Sequence, residues 1–522
     1  MRFARRLCLV ILVIPALTLW GCGATQPAQG TLVRTVSGAL RGAFADDHLL
    51  FAGIPYAAPP VGPLRWRPPQ PPASWQGVRD ASKAGPRCVQ NTRNDPDGGR
   101  SVSEDCLTLN VWTPLKRAGT PRPVMVWIHG GAFTNGSGDM FDARWLVKRG
   151  DIIVVTINYR LGALGFLADP SLAANGNPGN YGFEDQQFAL HWVHDNIASF
   201  GGDPQQVTIA GESAGAMSVC DHLVAPGSAG LFRAAVLESG PCQAQGDLAG
   251  AQKASLDYAA SKGCGDRATA ADCLRALPVA RLDDPPSYYR LGTTGLTGPI
   301  TGTAQLPTDP MTAFAQGKWA HVPVLIGTNR DEWTLFAAQQ YLGERRLPDY
   351  AQQLSEVFGG QSAKVAQQYP LSGYANSALA FSAAMTDEVF ACPANTIEMA
   401  VTHSAPVFAY EFNDRDAPAP EPLEKVPFPV GAGHAMEVRY LFDVGGGKPL
   451  NTAQQKLSDQ MIDYWSAFVT SGTPHADGAP DWPALRGTGG PWMSLQTPEP
   501  HTFTSFDDEH KCGFWATVPA PH

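Results

Sequence analysis

Short, continuous apolar runs alternate with longer stretches of helical periodicity through most of the chain. Six of these runs are rich in Val, Ile and Ala and are predicted to be strands: 124–128, 152–157, 207–210, 234–237, 324–326 and 407–410. Continuous rather than alternating apolar runs are typical of parallel strands that are buried on both faces. The pattern therefore predicts an α/β protein with a large, mostly parallel central sheet covered by helices on both faces.

The helical stretches lie between these runs. The clearest signal covers 183–200, where most of one apolar face is formed by Phe188, Leu190, Trp192, Val193 and Ile197. The stretches 251–277 and 459–469 are also predicted to be helical. The sequence shows no internal repeat and no interdomain linker after residue 30, so one doubly wound α/β domain is predicted over 31–522.

Composition and charge exclude several classes of protein. The chain has 522 residues, of which 44 % are hydrophobic and 16 % charged, and this balance excludes an intrinsically disordered protein. A net charge of −10 without a basic stripe argues against a nucleic-acid partner. The sequence has no zinc-type Cys/His spacing, no HExxH and no Walker phosphate loop, so neither a metal nor a cofactor is expected.

Residues 1–21 are predicted to be a signal peptide. Three arginines precede the mostly apolar segment 7–20, which is shorter than the roughly 20 residues that span a bilayer. Residues 19–22 read LWGC and are similar to the bacterial lipoprotein signal, although Trp20 departs from that pattern. Two outcomes stay open, the first being favoured: lipid attachment at Cys22 with anchoring to the cell envelope, or cleavage slightly downstream with release. Both predict an exported protein in which 22–30 form a linker.

Export makes disulfides the expected state of the eight remaining cysteines. Spacing alone does not choose among the many connectivities. Pairing of near neighbours, with the last two cysteines left for each other, suggests Cys88 with Cys106, Cys220 with Cys242, Cys264 with Cys273, and Cys392 with Cys512.

The pentapeptide Gly211-Glu212-Ser213-Ala214-Gly215 follows a predicted strand directly and leads into a helical stretch. A strained strand-to-helix turn of this kind, the nucleophile elbow, lifts a serine hydroxyl out of the sheet, and flanking glycines avoid clashes. The free N–H groups at the start of the helix then lie beneath an incoming oxyanion. An ordinary glycine-rich turn is the alternative, but the position between strand and helix favours Ser213 as a nucleophile.

A second glycine-rich motif, His129-Gly130-Gly131-Ala132-Phe133, also follows a predicted strand. Glycines let the backbone approach a substrate and direct two N–H groups at its carbonyl oxygen. A phosphate-binding loop is the rival interpretation, but neither GxGxxG nor a Walker lysine is present. The two motifs together indicate acyl-transfer chemistry.

Further motifs occur in order along the chain: SEDCLTLNV at 103–111, NYGFEDQ at 180–186, FGGDP at 200–204, IGTNRDE at 326–332, GH at 433–434 and CGFW at 512–515. With the two glycine-rich motifs, they resemble the type-B carboxylesterase family, which includes the cholinesterases. The resemblance spans roughly 31–515. It implies an α/β-hydrolase fold and the hydrolysis of small carboxylic esters, without metal or cofactor.

The resemblance also implies residue roles. Ser213 matches the nucleophile, His434 the general base and Glu332 the acid that orients the imidazole. The oxyanion donors are matched by the N–H groups of Gly131, Ala132 and Ala214. Three disulfides follow from the same likeness, namely Cys88–Cys106, Cys264–Cys273 and Cys392–Cys512, whereas Cys220–Cys242 rests only on the two cysteines left over.

The residues alone leave the base and the acid open. Six histidines follow Glu332, and His434 stands out only because its loop is rich in glycine. Adjacent carboxylates on an extended segment point to opposite sides, so only one of Asp331 and Glu332 can meet the histidine; the family pattern selects Glu332. Trp333 and Ala132 stand where the family usually has glycine, and both are expected to reshape the substrate gorge.

A fold does not by itself imply activity. The alternative function is that of a non-catalytic adhesion protein of the same fold, similar to the neuroligins, but such relatives typically lose the nucleophile, and here all three triad residues are present. Choline esters are expected to be poor substrates. In cholinesterases the key tryptophan lies in the loop closed by the first disulfide, and here the corresponding residues 89–105 include no aromatic side chain.

Overall fold

An eleven-stranded sheet forms the centre of the protein. The computed structural model describes residues 30–45, 47–91, 101–115, 119–173, 178–292, 294–485 and 490–519. The predicted signal peptide and Cys22 lie outside these residues. In chain order, the strands of the central sheet are β1 (Ala43–Phe44), β2 (His48–Pro55), β3 (Thr108–Pro114), β4 (Arg122–Ile128), β5 (Ile153–Ile157), β6 (Gly202–Glu212), β7 (Ala234–Glu238), β8 (Val324–Asn329), β9 (Val407–Phe412), β10 (Trp492–Leu495) and β11 (His501–Phe503).

The sheet is mostly parallel. Its strands lie in the order β11-β10-β9-β8-β7-β6-β4-β5-β3-β2-β1. Every neighbouring pair from β10 to β5 is parallel, and the pairs at the two edges are antiparallel. The predicted sheet is thus confirmed. Five of the six predicted strands lie within its strands, and the sixth, 152–157, begins one residue earlier than the observed strand Ile153–Ile157.

Helices cover both faces of this sheet. Those of seven or more residues in the described chain are Arg144–Gly150, Tyr181–Asn196, Ala214–Val224, Leu248–Ser261, Ala270–Ala276, Thr334–Glu344, Tyr350–Phe358, Ser362–Gln368, Ser377–Thr386, Cys392–Val401 and Thr452–Ser471. The predicted helices at 183–200 and 459–469 are confirmed. The stretch 251–277 is two helices rather than one, because the backbone turns at Gly263 (φ 85°).

Alternating side chains of β4 show how the two faces are filled. Val124, Val126 and Ile128 belong to one buried cluster, which includes residues of helix Tyr181–Asn196. Met125 and Trp127 belong to a second cluster with helix Thr452–Ser471. Successive side chains of a strand point to opposite faces, so an unbroken apolar run serves both clusters at once.

Smaller elements surround the sheet. The short strand pairs and the three-stranded N-terminal sheet comprise Leu32–Thr35, Gly38–Arg41, Val78–Asp80, Arg87–Cys88, Val102–Ser103, Gly246–Asp247, Tyr289–Leu291, Thr294–Leu296 and Ile300–Thr301. The shorter helices include Gly162–Phe166, Pro310–Ala315, Asp387–Ala391, Phe506–Glu509 and Cys512–Trp515.

Four disulfides fasten the loops. Cys88 pairs with Cys106, Cys220 with Cys242, Cys264 with Cys273 and Cys392 with Cys512. The last joins residues 120 positions apart and ties the final helix to the start of helix Cys392–Val401. In the part of the chain described, no helix has the length and apolar character needed to cross a membrane.

The strand order changes direction at β4. The chain passes from β4 to β5 on one side and returns to β6 on the other. In open α/β sheets, ligands bind at the carboxyl ends of the strands where such a reversal occurs. The loops after β4 and β6, which carry the two glycine-rich motifs, therefore meet at this edge.

Candidate active site

Ser213 lies in a sharp turn between β6 and helix Ala214–Val224. Its backbone adopts φ 56° and ψ −124°, a conformation that residues with a side chain rarely occupy. The turn is held close to β4: a Cβ on Gly215 would lie 2.0 Å from the carbonyl oxygen of Ile128. Ser213 is half-buried and thus lies at the carboxyl edge of the sheet.

The loop after β4 packs directly against this turn. A Cβ on Gly130 would lie 3.0 Å from Cβ of Ser213, so only glycine permits the approach. Gly131 and Ala132 both have positive φ, 106° and 53°. Within the described residues, nothing accepts a hydrogen bond from the backbone N–H of Gly131, Ala132 or Ala214. Three unpaired donors therefore surround the nucleophile turn.

Glu332 and His434 are joined by a buried hydrogen bond. Nδ1 of His434 donates to Oε2 of Glu332 at 2.6 Å, and the two residues are 4 % and 0 % exposed. The other carboxylate oxygen accepts from the Thr328 hydroxyl at 2.9 Å and from the N–H of Asn329 at 2.7 Å. Because both carboxylate oxygens are held, the imidazole is fixed with Nε2 directed away from Glu332.

Asp331 is placed quite differently. Its carboxylate binds the Arg415 guanidinium at 2.8 and 3.0 Å, and it accepts from the N–H of Ala432 at 3.2 Å. The two adjacent acids thus point to opposite sides, and it is Glu332 that meets the histidine.

Ser213 and His434 are neighbours but are not hydrogen-bonded. Nε2 of His434 lies 3.1 Å from Oε1 of Glu212, the residue before the serine. Among the residues that the structure describes, none accepts from or donates to the Ser213 hydroxyl. In proteins without substrate, catalytic hydrogen bonds are often long or misaligned and form only in the complex. Because Ser213 directly follows Glu212, the imidazole nevertheless lies beside the turn that carries the serine.

The carboxylates around His434 favour its charged form. Burial acts against a charge on the imidazole, but Glu212 and Glu332 outweigh it and raise the pKa of His434 above its usual value. Burial also raises the pKa of Glu212, against the opposing effect of His434. The site is therefore suited to stabilise an imidazolium that forms during a reaction.

Aromatic rings form a wall beside the imidazole. The ring centroids of Phe336 and Phe390 lie 5.1 and 5.0 Å from that of His434. Trp333 packs behind them, 4.8 Å from Phe336, and its ring occupies the space where Gly292 lacks a side chain. Trp333 thus supports the wall that faces the site.

Some of these residues had no local signal in the sequence. Phe336 and Phe390 reach His434 from separate helices, so no motif connects them. Thr328 and Asn329 had a weak signal, since they are polar residues at the end of a buried strand, a few positions before the acid. The described residues contain no cluster of His, Cys, Asp and Glu suited to a metal ion.

The fold and this edge of the sheet define the α/β-hydrolase class. The chain belongs to the carboxylesterase family, whose model matches residues 29–515. A solved structure titled PNB esterase superposes with a TM-score of 0.77 at 32 % identity, covering 92 % of this chain and 99 % of that chain.

Several relatives of known function are named as esterases. The chain is similar to the fumonisin B1 esterase of Sphingopyxis macrogoltabida, at 34 % identity over 485 residues, which cover 89 % of this chain and 87 % of that protein. It is similar to the para-nitrobenzyl esterase of Bacillus subtilis, at 36 % identity with 87 % and 92 % covered. The human cocaine esterase is 33 % identical, with 89 % and 87 % covered. Family and relatives show that the protein is a carboxylic ester hydrolase.

Proposed function

We propose that the protein hydrolyses carboxylic esters of small molecules through an acyl-enzyme formed on Ser213. The observation that carries this proposal is the buried hydrogen bond between His434 and Glu332, with Nε2 of the imidazole beside the nucleophile turn. The three unpaired N–H groups of Gly131, Ala132 and Ala214 support it further.

The first half of the reaction forms the acyl-enzyme. Oγ of Ser213 attacks the ester carbonyl carbon while Nε2 of His434 takes the hydroxyl proton. For this step the imidazole edge must leave Glu212 and meet the serine, a small movement that an entering substrate would favour. The negative oxygen accepts hydrogen bonds from the N–H groups of Gly131, Ala132 and Ala214. The alcohol then leaves with the proton held by His434.

The second half restores the enzyme. His434 takes a proton from water, the hydroxide attacks the acyl carbonyl, and the carboxylic acid leaves as Ser213 regains its proton. Glu332 keeps the imidazole in one tautomer and balances its positive charge in both halves. The wall of Phe336 and Phe390 would exclude water and favour an apolar group beside the imidazole.

A burst experiment tests the proposal. With p-nitrophenyl acetate, rapid mixing should release p-nitrophenolate in a burst equal to the enzyme concentration, followed by slower turnover. Mass spectrometry should then find one acetyl group on the peptide that contains Ser213. Turnover without any acyl adduct, or an adduct on another residue, would contradict the assignment. A graded series of acyl lengths would define the preferred ester.

A further inference from the structure

Four residues form a row across the sheet behind His434. Glu212 of β6 is the register partner of Glu238 in β7, Glu238 that of Gly327 in β8, and Gly327 that of Tyr410 in β9. Register partners in a parallel sheet share a face, so the three side chains of this row point to the same side. That side is the one covered by helix Thr452–Ser471.

Gly327 leaves the middle of the row open. A Cβ there would lie 2.3 Å from the Tyr410 ring, so this ring covers Gly327 and reaches toward Glu238. Trp465 contacts both residues: its indole N–H donates to Oε1 of Glu238 at 2.7 Å, and its ring lies 5.2 Å from the Tyr410 ring. The row is therefore one packed unit and not a coincidence of register.

The unit is closed to solvent and contains unpaired polar atoms. Glu238, Tyr410 and Glu437 are all completely buried. In the described chain, the Tyr410 hydroxyl, Oε2 of Glu238 and Oε1 of Glu437 have no hydrogen-bond partner. Glu238 and Glu437 are near enough to affect the titration of Tyr410, so an unpaired hydroxyl and unpaired carboxyl oxygens share one enclosure, whereas buried polar groups are normally satisfied.

Two carboxyl groups opposite each other in such an enclosure repel strongly when both are charged. We propose that Glu238 is a positioning residue for the ester hydrolysis proposed above, on which this inference rests. It shares one proton with Glu212, and the nearby dipole of the Tyr410 hydroxyl together with the Trp465 N–H favours the negative charge at the Glu238 end of the pair. The negative charge is thereby drawn away from Glu212, so that Nε2 of His434 is free to turn from Oε1 of Glu212 to the Ser213 hydroxyl.

The surrounding titratable groups fit this arrangement. His434, Glu332 and Glu437 face the pair together with Tyr410, and among the described residues the imidazole is the only positive group that acts on it. Burial raises the pKa of both Glu212 and Glu238, so the pair keeps a proton. The hydrogen bond from Trp465 acts against this rise at Glu238 and favours the negative charge at that end. Burial, followed by the surrounding carboxylates, raises the pKa of Tyr410 well above its usual range, so its hydroxyl remains a donor.

The acid limb of the pH dependence of kcat/KM tests the inference, because His434 must be neutral to act as a base. The substrate is an uncharged p-nitrophenyl ester. Glu238→Gln cannot share a proton, so the full charge settles on Glu212 and raises the pKa of His434. The acid limb should move to higher pH by about 0.5 to 1 unit. Glu212→Gln removes that charge and should move the limb to lower pH, as should the double variant.

Two further variants make the result decisive. Tyr410→Phe removes one oxygen and should move the acid limb upward by a smaller amount, which keeps the test available when Glu238→Gln does not fold. Glu398→Gln alters an equally buried carboxyl outside the row and should leave the limb in place. The inference is overturned when the acid limb of folded Glu238→Gln stays in place or moves to lower pH. When Glu238→Gln does not fold, the same outcome in Tyr410→Phe overturns it. Activity that survives Ser213→Ala would instead overturn the proposed function.

Discussion

Asp331 and Glu332 are consecutive residues that serve opposite sides of one turn. Asp331 forms an ion pair with Arg415, whose side chain is 60 % exposed, whereas Glu332 is completely buried and accepts from His434. Two consecutive residues thus have different partners: Asp331 pairs with a surface arginine, and Glu332 binds the imidazole. The sequence leaves the two carboxylates equivalent, and the turn that follows the strand Val324–Asn329 directs them to different sides.

Replacing the nucleophile or the base should abolish almost all turnover. Ser213→Ala and His434→Ala are each expected to lower kcat by about 10⁴- to 10⁶-fold, because residues that act as a unit fail together. Steady-state assays with a p-nitrophenyl ester measure this effect. His475→Ala is a suitable control, since that histidine lies on an exposed loop with Asp477; a comparable loss there would show that the assay reports folding and not chemistry.

The two acids should respond unequally. Glu332→Gln removes the counter-charge of the imidazolium and is expected to lose about 10³- to 10⁴-fold in kcat. Asp331→Asn removes the charge of an ion pair with the exposed Arg415, and such pairs contribute little. The amide oxygen can still accept from Ala432, so kcat should stay within a few-fold of the wild type. Near-full activity in Glu332→Gln together with an inactive Asp331→Asn would reverse the assignment of the acid.

The disulfide between Cys392 and Cys512 should contribute strongly to stability. It closes a separation of 120 residues, and the chain-entropy model gives about 4–5 kcal/mol for such a loop. The double replacement of both cysteines by alanine should lower the free energy of unfolding in guanidinium by about that amount. Cys264–Cys273 is the matched comparison, because its separation of 9 residues corresponds to about 2–3 kcal/mol. Free thiols at Cys392 and Cys512 in exported protein would remove the basis of this prediction.

Cys22 is predicted to carry lipid. A diacylglycerol and an N-acyl chain together exceed the two signals needed for stable anchoring. Metabolic labelling with palmitate should mark the wild type, and Cys22→Ser should be unlabelled and released. An unlabelled wild-type protein that begins a few residues downstream of Cys22 would indicate plain secretion, with Trp20 as the reason.

Neutral esters should be better substrates than choline esters. A cation–π contact with a tryptophan is worth about 2 kcal/mol or more when desolvated, and residues 89–105 supply no such ring. Phe133 or Trp333 could replace that ring from another part of the chain, but Phe133 is completely buried and Trp333 is buried against Phe336. The test compares kcat/KM for butyrylthiocholine with that for an uncharged thioester of the same acyl length. A tenfold preference for the choline ester would exclude this view of the site.

The centre of the sheet could be predicted because its strands are unbroken apolar runs. β3 shows why the edges could not. Its apolar run is interrupted by Asn110, whose side chain accepts from Gly53 and donates to Thr156, both far away in sequence. A polar residue whose partners lie on other strands looks like a loop residue until those strands are in place. The stretch 251–277 is predicted to be helical without a break, whereas the structure has a turn at Gly263 between two helices.

Some residues of the site could be predicted from local sequence signals, and others could not. The turn around Ser213 and the loop before Ala132 had local signals, since glycine is required where two backbones meet. His434 could not be chosen from the residues alone, because the contact that distinguishes it comes from Glu332, about a hundred positions earlier. Phe336 and Phe390 had no signal at all, for an aromatic residue on a helix is most often part of a core.

The strained backbone at Ser213 lowers the stability of the protein, although the serine is needed for activity. Only glycine adopts φ 56° and ψ −124° without strain, yet glycine has no side chain that can take up an acyl group. Glycine at 213 would therefore relax the turn while ending turnover, as is common where active sites are strained. A library selected for heat resistance alone would enrich this replacement, and its survivors would be well folded and inactive.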